Sequence, residues 1–348
     1  IRSNMANSVC IISTVHSAFD SRIFHKQAKS LVDSGYDVTL IVQHDKNEVV
    51  DGIQIKSLPK ISNRFHRIIT LTWLAFWGGF KQKADFYHLH DPQLILIGFL
   101  FKITTNANVI YDIHENYDES IRAKGYIPPI ARTIIANIYG MVERLAYFVF
   151  DALIVVASFQ KKLYPKATPV FNYPKKSKRQ FRKRSTELSL INKPRLVYTG
   201  TISEDRGALI HANLVNLYSE LHVYMIGKCE PELAEKMRQV AGSNKRRLHV
   251  EGEGRHVPHR RIRAYLNYGG WLAGLVLFPP NTVYQEYELT KFFEYMQAGL
   301  PILASDFQVW RSLIGSAKCG LTVDPENQIE IKKTLMWLMN NVGETNKM

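Results

Sequence analysis

One stretch of the chain places two carboxylates around the start of a short amphipathic helix. It runs from Glu286 to Glu294, with seven residues between the two acids, and continues to Gly299 and Pro301. Thr290 is the predicted N-cap of this helix, Gly299 is its predicted C-terminal stop, and Pro301 prevents its continuation. A helix N-terminus carries unpaired N–H groups and about half a positive charge, so it attracts phosphate.

A lysine lies at an electrostatically unfavourable position of this helix. Lys291 falls in the first turn, where a cation opposes the helix dipole. An anion bound beside Lys291 would remove this conflict. A helix end that attracts phosphate, flanked by acids that accept hydrogen bonds from sugar hydroxyls, indicates a nucleotide-sugar site.

The composition is that of a globular protein long enough for two domains. The 348 residues are 46% hydrophobic and 22% charged, with a net charge of +14 and a pI of about 9.5. This positive charge predicts an anionic partner: nucleic acid, anionic lipid or a phosphorylated substrate. The sequence has no zinc-finger spacing, RNP-type motif or basic heptad region, so nucleic acid is not expected.

Cysteine usage and hydropathy predict the compartment. Cys10, Cys229 and Cys319 form no CxxC or ligand-like spacing, which predicts buried thiols in a reducing cytoplasm. No secretory signal is visible, and the longest apolar run, Leu94–Phe101, is too short to span a membrane. We expect a cytoplasmic protein, and peripheral contact with the inner face of the membrane stays open.

Short β-branched runs alternate with helical patterns in both halves of the chain, which predicts two α/β domains with parallel sheets. The predicted strands are Val9–Ser13, Asp37–Val42, Ile53–Ser57, Phe86–His90, Asn108–Ile113, Ala152–Val156, Arg195–Thr199, Leu221–Ile226, Leu248–Gly252, Gly274–Phe278, Pro301–Ala304 and Leu321–Val323. We predict Rossmann-like doubly wound domains over residues 5–174 and 194–348. Such domains bind ligands at the carboxyl ends of their strands, which predicts a shared site in a cleft between them.

Residues 175–193 are predicted to form a basic linker. The run from Lys175 to Arg184 has no apolar periodicity and follows Tyr173-Pro174. It is either a solvated connection or an electrostatic contact with anionic lipid. The segment from Arg184 to Lys193 is expected to belong to a hinge for domain closure over a substrate.

Three candidate residues follow the first predicted strand: His16, Asp20 and Arg22. Asp20 is either a site residue or only the N-cap of the next helix. Arg22 opposes its helix dipole as Lys291 does, so we expect an anion or carboxylate partner for it. His114 ends another predicted strand, where it either acts on a substrate hydroxyl or is a structural histidine.

Two histidines on one strand raise the question of a metal. His88 and His90 share a strand face, but no third soft ligand lies nearby in the sequence, so no metal site is expected. Asp91 is predicted to cap a helix whose first residue is Pro92.

Two further segments mix basic residues with large apolar ones. The first runs from Arg64 to Trp77, and the second runs from Lys124 to Phe150. Each is either an interfacial helix that contacts a membrane or a core helix with a basic solvent face.

Glycines and cations follow two predicted strands of the second half. Gly200 opens a loop that ends at Arg206-Gly207, and Gly227-Lys228 ends the next strand. Glycine lets backbone N–H groups approach an anion, and arginine adds charge and donors. Lys228 is a second candidate for contact with a nucleotide base or a phosphate.

These residues resemble a known family. The chain is similar to the retaining glycosyltransferases of GT-B type, in particular to the large family four with its many bacterial polysaccharide and glycolipid enzymes. The similar segments span nearly the whole chain: residues 16–26, 112–115, 172–174, 200–207 and 286–301. The last segment is the family's E-x7-E signature. Residues 289–296 depart from a common subgroup pattern only at Leu289 and Phe292.

The resemblance implies a role for each residue. Glu294 would bind the donor's ribose hydroxyls, Glu286 would face the transferred sugar, and His114 would lie beside that sugar. Arg206 would hold the diphosphate. The remaining candidates are Gly200, Thr201, Gly227, Lys228, Leu289 and Thr290 for donor binding, and His16, Asp20 and Arg22 on the acceptor side.

One departure from the family concerns charge. Many members carry arginine directly after the first glycine and lysine before the second, where this chain has Thr201 and Arg206. One phosphate-neutralising cation is therefore missing from the loop. Lys291 is predicted to replace it.

The resemblance also implies the reaction. A retaining transferase of this kind moves a sugar from a UDP- or GDP-sugar to a hydroxyl of a saccharide or lipid-linked saccharide. The hydroxyl attacks on the face from which the diphosphate leaves, and the leaving phosphate accepts its proton. No protein nucleophile is needed, cations and the helix dipole stabilise the diphosphate, and the lack of an Asp-x-Asp motif predicts that no metal or other cofactor is required.

Two other classes stay open. A nucleotide-sugar epimerase of the same architecture would convert the donor without an acceptor. A non-catalytic basic protein that binds lipid or nucleic acid would not bind nucleotide sugars at all.

Overall fold

The computed structural model describes residues 7–61, 63–114, 116–122, 127–174, 193–280 and 282–348. The chain divides into two compact units, Ile1–Asn172 (unit 1) and Tyr173–Met348 (unit 2). Residues 175–192 of the predicted linker, and with them nearly all of the predicted hinge, lie outside the described residues. So do Glu115 and Lys124.

Unit 1 is built on an eight-stranded sheet in the order β3-β4-β2-β1-β5-β6-β7-β8. The strands are β1 (Ser8–Ser17), β2 (Asp37–Gln43), β3 (Glu48–Val50), β4 (Ile53–Leu58), β5 (Phe86–Leu89), β6 (Asn108–Ile113), β7 (Ala152–Val155) and β8 (Thr168–Pro169). All neighbouring pairs are parallel except β3 with β4.

The helices of unit 1 are α1 (Lys29–Asp33), α2 (Arg64–Gln82), α3 (Ile95–Thr104), α4 (Tyr117–Arg122), α5 (Pro129–Val149) and α6 (Gln160–Leu163). A π-helical segment, Ile23–Ala28, leads into α1, and a 3-10 turn, Pro92–Leu94, leads into α3.

The sheet of unit 1 separates two apolar cores, because successive strand residues point to opposite faces. On β1, Ile11 belongs to the core that α1 covers, and Ile12 belongs to the other core. Leu71 of α2, Phe101 of α3 and Ala146 of α5 all enter the core of Ile12. These three helices therefore form one layer on the same face of the sheet.

Unit 2 contains a six-stranded, fully parallel sheet in the order β11-β10-β9-β12-β13-β14. The strands are β9 (Arg195–Thr199), β10 (His222–Cys229), β11 (Leu248–Glu253), β12 (Ala273–Val276), β13 (Ile302–Ser305) and β14 (Gly320–Val323). The helices are α7 (Ala208–Asn213), α8 (Pro231–Ala241), α9 (His259–Tyr268), α10 (Thr282–Gln285), α11 (Thr290–Gln297), α12 (Gln308–Ala317), α13 (Gln328–Asn340) and α14 (Val342–Lys347). Further 3-10 turns cover Glu204–Arg206, Leu214–Asn216 and Gly242–Arg247.

Both sheets have the strand order of doubly wound folds, with the first strand in the middle. The strand order reverses beside β1 in unit 1 and beside β9 in unit 2. Ligand crevices of such sheets lie at the carboxyl ends of the strands at this reversal, here β1 with β5 and β9 with β12. The prediction of two Rossmann-like doubly wound domains is confirmed.

The predicted strands are all present, with ends shifted by a few residues. β3 and β8 were not predicted, because strands of three and two residues are too short to show an alternating pattern. Among the helices of the described ranges, none combines the length and apolar character that crossing a bilayer requires.

Candidate functional site

The loop after β9 lies against the ends of the neighbouring strands. A Cβ on Gly207, whose φ is +77°, would lie 1.8 Å from the carbonyl oxygen of Leu277. A Cβ on Gly227 would lie 1.8 Å from the carbonyl oxygen of Gly200. Since no side chain fits at either position, glycine is required for this close approach. Thr201 is exposed, and its carbonyl accepts a hydrogen bond from the Tyr198 hydroxyl at 2.7 Å.

Arg206 is oriented by an aromatic residue that sequence reasoning missed. Its Nε donates to the Tyr284 hydroxyl at 3.1 Å, and Tyr284 in turn donates to Asp205 at 2.9 Å. The guanidinium carbon lies 5.4 Å from the centre of the Tyr284 ring. Neither Nη atom of Arg206 has a hydrogen-bond partner within the described residues, so both are available to an anion.

Lys291 carries an ammonium group without a hydrogen-bond partner among the described residues. Its Nζ is buried and makes no hydrogen bond in the described part of the chain. It lies 3.7 Å from the centre of the Tyr198 ring and 3.8 Å from where a Cβ on Gly200 would be. Burial, with a further contribution from the charge of Arg206, holds the pKa of Lys291 well below its ordinary value. An anion at the Gly200 loop would satisfy this group.

The start of α11 differs from the prediction. Thr290 is not the N-cap: Leu289 occupies that position with an extended backbone, Thr290 is already helical, and no side chain caps the helix. The prediction was wrong because threonine favours caps locally, whereas the backbone turns one residue earlier. The first N–H groups of α11 therefore lack a side-chain acceptor.

The end of α11 agrees with the prediction. Gly299 has a left-handed φ of +63°, and its N–H bonds to the carbonyl of Met296 at 3.1 Å. The next N–H, of Leu300, bonds to the carbonyl of Tyr295 at 2.9 Å. These two bonds form a Schellman motif, for which glycine is the preferred residue.

Two aromatic side chains anchor the segment that carries both glutamates. The buried Tyr295 hydroxyl accepts a hydrogen bond from the backbone N–H of Thr199 at 3.0 Å, which ties α11 to β9. The Trp310 indole donates to the carbonyl of Tyr287 at 2.8 Å, which fixes the turn beside Glu286. A rigid scaffold thus holds the E-x7-E segment.

The two glutamates have different surroundings. Glu294 is largely buried, and its Oε1 lies 3.0 Å from Nε2 of His259, a neighbour that the sequence did not indicate. Glu286 is exposed and has no hydrogen bond or ion pair with any described residue. Lys228 is also exposed and pairs with Glu230 at 2.8 Å. Of the two glutamates, only Glu294 is therefore held in position by another side chain.

In unit 1, Arg22 has the carboxylate partner that was expected. Its Nη2 lies 2.9 Å from Asp112 Oδ2 and 3.0 Å from Oδ1, and Nε donates to Oδ2 at 3.2 Å. Both side chains are buried, and Nη1 donates to the carbonyl of Val170 at 2.8 Å. Arg22 is therefore committed to a buried ion pair, so we infer that it positions its neighbours and does not contact an acceptor directly.

Asp91 does not cap its own helix. It stands at the N-cap position before Pro92, but its carboxylate makes no capping bond there. The carboxylate instead accepts hydrogen bonds from Thr14 Oγ1 at 3.1 Å and from the Val15 N–H at 3.2 Å, which joins the ends of β5 and β1. The local sequence explained the position of Asp91 and missed its contacts across the sheet.

Asp20 lies at the start of the π-helical segment, next to His16. Its Oδ1 accepts from the backbone N–H groups of Arg22 at 2.8 Å and Ile23 at 2.9 Å, so it binds the first N–H groups of this segment, whose N-cap position is Arg22. Its other oxygen lies 3.7 Å from His16 Nδ1. Burial lowers the pKa of His16, but the hydrogen bond to Asp20 and the charge of Asp91 outweigh burial and raise it.

His114 lies in a cluster of imidazoles. Its Nε2 is 3.0 Å from Nδ1 of His90, so one of these atoms donates to the other. The rings of His114 and His16 are 5.0 Å apart. Burial lowers the pKa of His114 and of His90, whereas the pKa of His16 is raised. Between these pKa values His114 and His90 are neutral while His16 is charged. His90, considered from the sequence only as a metal ligand, is thus the partner of His114.

The same cluster brings potential metal ligands together. One ligand atom each of His88, His90 and Asp112 lies within 4.8 Å of the others. However, the Arg22 guanidinium engages both oxygens of Asp112, and its positive charge opposes binding of a second cation. The donor set therefore fits an ion pair flanked by neutral histidines better than a metal centre.

Comparisons with known proteins agree with this fold. Residues 192–348 match the family model described as glycosyl transferases group 1. No curated protein matches the chain.

Solved structures of similar fold cover almost all of the chain. Sucrose-phosphate synthase from Thermosynechococcus elongatus has a TM-score of 0.71 at 14% identity, covering 98% of this chain and 91% of that one. WaaG, a glycosyltransferase involved in lipopolysaccharide biosynthesis, has a TM-score of 0.67 at 15% identity, covering 97% and 92%. HepE from Anabaena, in complex with UDP and glucose, has a TM-score of 0.67 at 11% identity, covering 98% and 92%. At such identities the likeness establishes the fold.

Proposed function

We propose that the protein is a retaining glycosyltransferase that moves a sugar from a UDP- or GDP-sugar to a hydroxyl of a saccharide or lipid-linked saccharide. The observation that carries this proposal is the buried ammonium group of Lys291, which lies beside the Gly200 loop and has no hydrogen-bond partner among the described residues. A desolvated cation at the ligand-binding edge of a doubly wound sheet calls for an anion. The family match over residues 192–348 and the UDP complex of HepE support a nucleotide sugar as the source of that anion.

In unit 2, different residues are assigned to different parts of the donor. In this proposal Arg206 and Lys291 neutralise the diphosphate, and Glu294, oriented by His259, accepts hydrogen bonds from the ribose hydroxyls. Glu286 faces the transferred sugar, which is consistent with its exposure and lack of protein partners. The other donor contacts are assigned to Gly200, Thr201, Gly227, Lys228, Leu289 and Thr290.

The chemistry requires charge stabilisation and no protein nucleophile. The acceptor hydroxyl attacks the anomeric carbon on the face from which the diphosphate leaves, forming the new C–O bond as the bond to the phosphate oxygen breaks. The leaving phosphate takes the hydroxyl proton. Fixed cations stabilise the charge that develops on the diphosphate, which is the role of a preorganised site. In this mechanism no metal is required.

The acceptor is assigned to the edge of unit 1 at the ends of β1, β5 and β6. His16 and Asp20 are the groups there that hydroxyls can reach, since both side chains are about a quarter exposed, at 27% and 25%. His114 is held by His90, and Arg22 positions this cluster through Asp112.

Acceptor-free reactions test the proposal. A panel of UDP- and GDP-sugars is incubated with the protein, with and without chelator, and the released nucleotide and sugar are identified. We expect slow hydrolysis of one donor, with the anomeric configuration retained in the free sugar. An epimerase would instead return a sugar of changed configuration still attached to its nucleotide. A lack of calorimetric binding for UDP and GDP would exclude both enzymes.

We also propose that unit 1 contacts an anionic membrane through the solvent face of its helix layer, formed by α2, α3 and α5. Along α5, exposed apolar side chains recur at intervals of three or four residues: Ile130, Ile134, Ile138, Met141, Leu145 and Phe148. The other two helices add Ile69, Trp73, Trp77, Leu96 and Ile103. Soluble surfaces rarely expose so many large apolar side chains in one layer.

Charge on the helix layer fits the same partner. Glu143 is the only acidic residue in the three helix sequences, and it is buried between the hydroxyls of Tyr139 and Tyr164 at 2.6 and 2.5 Å. The basic residues of these helices are Arg64, Arg67, Lys81, Lys102, Arg132 and Arg144. Apolar and basic side chains without exposed acids are the features of a surface that binds anionic lipid.

Co-sedimentation tests this contact. We expect binding to vesicles with about a third anionic lipid and little binding to neutral phosphatidylcholine. Replacing Met141 and Phe148 with serine removes about 3 kcal/mol of apolar burial and should weaken binding roughly 100-fold. Val49→Ser, at an exposed apolar position on β3 outside the layer, is the control. Self-association that the same double variant abolishes, without lipid binding, would assign the layer to a second copy of the chain.

A further inference from the structure

A cavity of unit 2 lies apart from the proposed donor residues. Its volume is about 370 Å³, and its lining includes Arg195, Tyr224, Arg261, Tyr265, Tyr268 and Trp271. Arg195 is the first residue of β9 and Tyr268 is the last residue of α9. The cavity therefore opens at the amino-terminal edge of the sheet, opposite to the edge that carries the Gly200 loop.

The aromatic walls of the cavity are held rigidly on one side and open on the other. Trp271 is buried, and its indole donates to the carbonyl of Tyr265 at 2.8 Å. Tyr224 meets the Trp271 ring edge-on at 5.1 Å and stacks on His249 at 4.2 Å. Tyr268, in contrast, is 71% exposed. A ligand could reach the cavity past Tyr268 and meet ring faces that are already fixed.

Arg195 is the uncompensated cation of this cavity. Its guanidinium carbon lies 5.5 Å from the centre of the Tyr268 ring and 5.4 Å from that of Trp271. Its Nε is buried and has no hydrogen-bond partner, and no acidic side chain pairs with it among residues 7–348 as far as they are described. Buried donors without partners are rare in folded proteins, so this one requires an explanation.

The second arginine is already neutralised. Arg261 Nε donates to Glu251 at 2.9 Å. Arg261 and Tyr265 line the cavity, so the Tyr265 phenol is available to hydroxyl groups. The cavity as a whole thus presents one free cation, several aromatic faces and phenol groups for hydroxyls.

We propose that this cavity binds an anionic saccharide. The carboxylate or phosphate of the sugar would bind Arg195, its C–H face would pack on Tyr268, and its hydroxyls would bond to the Tyr265 hydroxyl. The cavity lies near the lower end of the roughly 300–1,000 Å³ range of ligand pockets, which fits one or two sugar rings. Such a site goes beyond the proposed transfer, because it would hold a charged saccharide away from the reacting atoms.

Saturation-transfer NMR with the full chain tests the proposal. The probes are a glucuronate-containing disaccharide, the neutral disaccharide cellobiose, and UMP. We expect the charged disaccharide to bind at least about tenfold more tightly than cellobiose, as a charge-assisted bond to arginine provides. Arg195→Gln should remove this preference, and Tyr268→Ala should weaken both disaccharides. Arg263→Gln, at an exposed position of the same helix, should change neither.

Other outcomes overturn the proposal. A preference for the charged disaccharide that persists in Arg195→Gln and Tyr268→Ala would mean that the sugar binds elsewhere. UMP binding that disappears in Tyr268→Ala would assign the cavity to a nucleotide. Tyr268→Ala changes an exposed side chain, so it remains informative if Arg195→Gln fails to fold. Donor hydrolysis should be unchanged in all three variants, so failure of this site and failure of the proposed transfer are distinguishable.

Discussion

Replacing Lys291 with methionine separates two effects of its buried ammonium group. In the free protein this group lies 3.7 Å from the centre of the Tyr198 ring and has no hydrogen-bond partner in the described chain, so it is a desolvated charge. In the proposed complex the same group contacts the diphosphate. Methionine keeps the length of the side chain and removes the charge, so the two effects should change in opposite directions.

The magnitudes follow from these surroundings. A hydrogen bond to a charged group contributes about 1.5–3 kcal/mol, so Lys291→Met should weaken nucleoside-diphosphate binding about 10- to 100-fold. In the free protein, removal of a buried unpaired cation should add about 1–2 kcal/mol to the free energy of unfolding. Unit 2 should then unfold at a temperature higher by roughly 2–8 °C.

Calorimetry with UDP and GDP, together with thermal unfolding, measures both effects. Because burial lowers the folded-state pKa of Lys291, the unfolded state binds more protons above that pKa, and the stability of the wild-type protein should rise with pH until about pH 10.5. Lys291→Met should lack this rise. At pH values above the folded-state pKa of Lys291, nucleotide binding should take up a proton in the wild type and not in the variant. Lys347→Met, which removes an exposed lysine of unit 2 paired with Glu344, is the control for loss of charge.

The reasoning would be refuted by unchanged nucleotide affinity in Lys291→Met. Lower stability of the free variant would show that the contacts of the ammonium group with the Tyr198 and Phe278 rings outweigh its desolvation. Equal weakening by Lys347→Met would show that net charge, and not the buried position, determines the affinity.

Three further predictions concern the groups that position the site. Tyr284→Phe leaves Arg206 Nε without its acceptor and should raise the KM for the donor about 2- to 10-fold in steady-state kinetics, and a change in kcat alone would contradict this. Asp112→Asn leaves Arg22 buried and unpaired, so denaturant unfolding should show a loss of about 3–5 kcal/mol. An unchanged midpoint would mean that the ion pair is not formed. His16 has a raised folded-state pKa, so its stabilisation is present at low pH and lost as pH rises through that pKa. His16→Asn should therefore unfold at a lower temperature than the wild type at about pH 5 and at the same temperature by about pH 9.

The longer strands of both units were predictable because their patterns are local. β-Branched runs such as Asn108–Ile113 and Arg195–Thr199 have the predicted bounds. The Gly299 stop was predictable for the same reason, since its left-handed backbone and two capping bonds involve only neighbouring residues.

The cap of α11 was not predictable, although it too is local. Threonine at position 290 satisfies the preference for an N-cap, but the backbone leaves the extended conformation one residue earlier, at Leu289. The position of α11 is set by Tyr295, whose hydroxyl bonds to β9, and by Phe292, which packs on Trp310. Packing in the core thus outweighed a cap contribution of about 1 kcal/mol.

The partners of the site residues depended on the order of the strands. Asp91 bonds to Thr14 and Val15 because β5 lies beside β1, and His114 meets His90 because β6 lies beside β5. These pairs are separated by 24 to 77 residues in the sequence. A local sequence pattern spans only a few residues, so it cannot indicate a contact between residues so far apart in the chain.

The sequence by itself determined the two parallel-sheet domains, the E-x7-E segment and the surplus of positive charge. Only the tertiary structure decided that the Lys291 ammonium group lies in a desolvated position beside Gly200 and that Arg22 forms a buried ion pair with Asp112. It also decided that the apolar side chains along α5 are exposed to solvent. The physical reason is that periodicity fixes which face of an element is apolar, whereas burial and charge pairing depend on which elements cover that face.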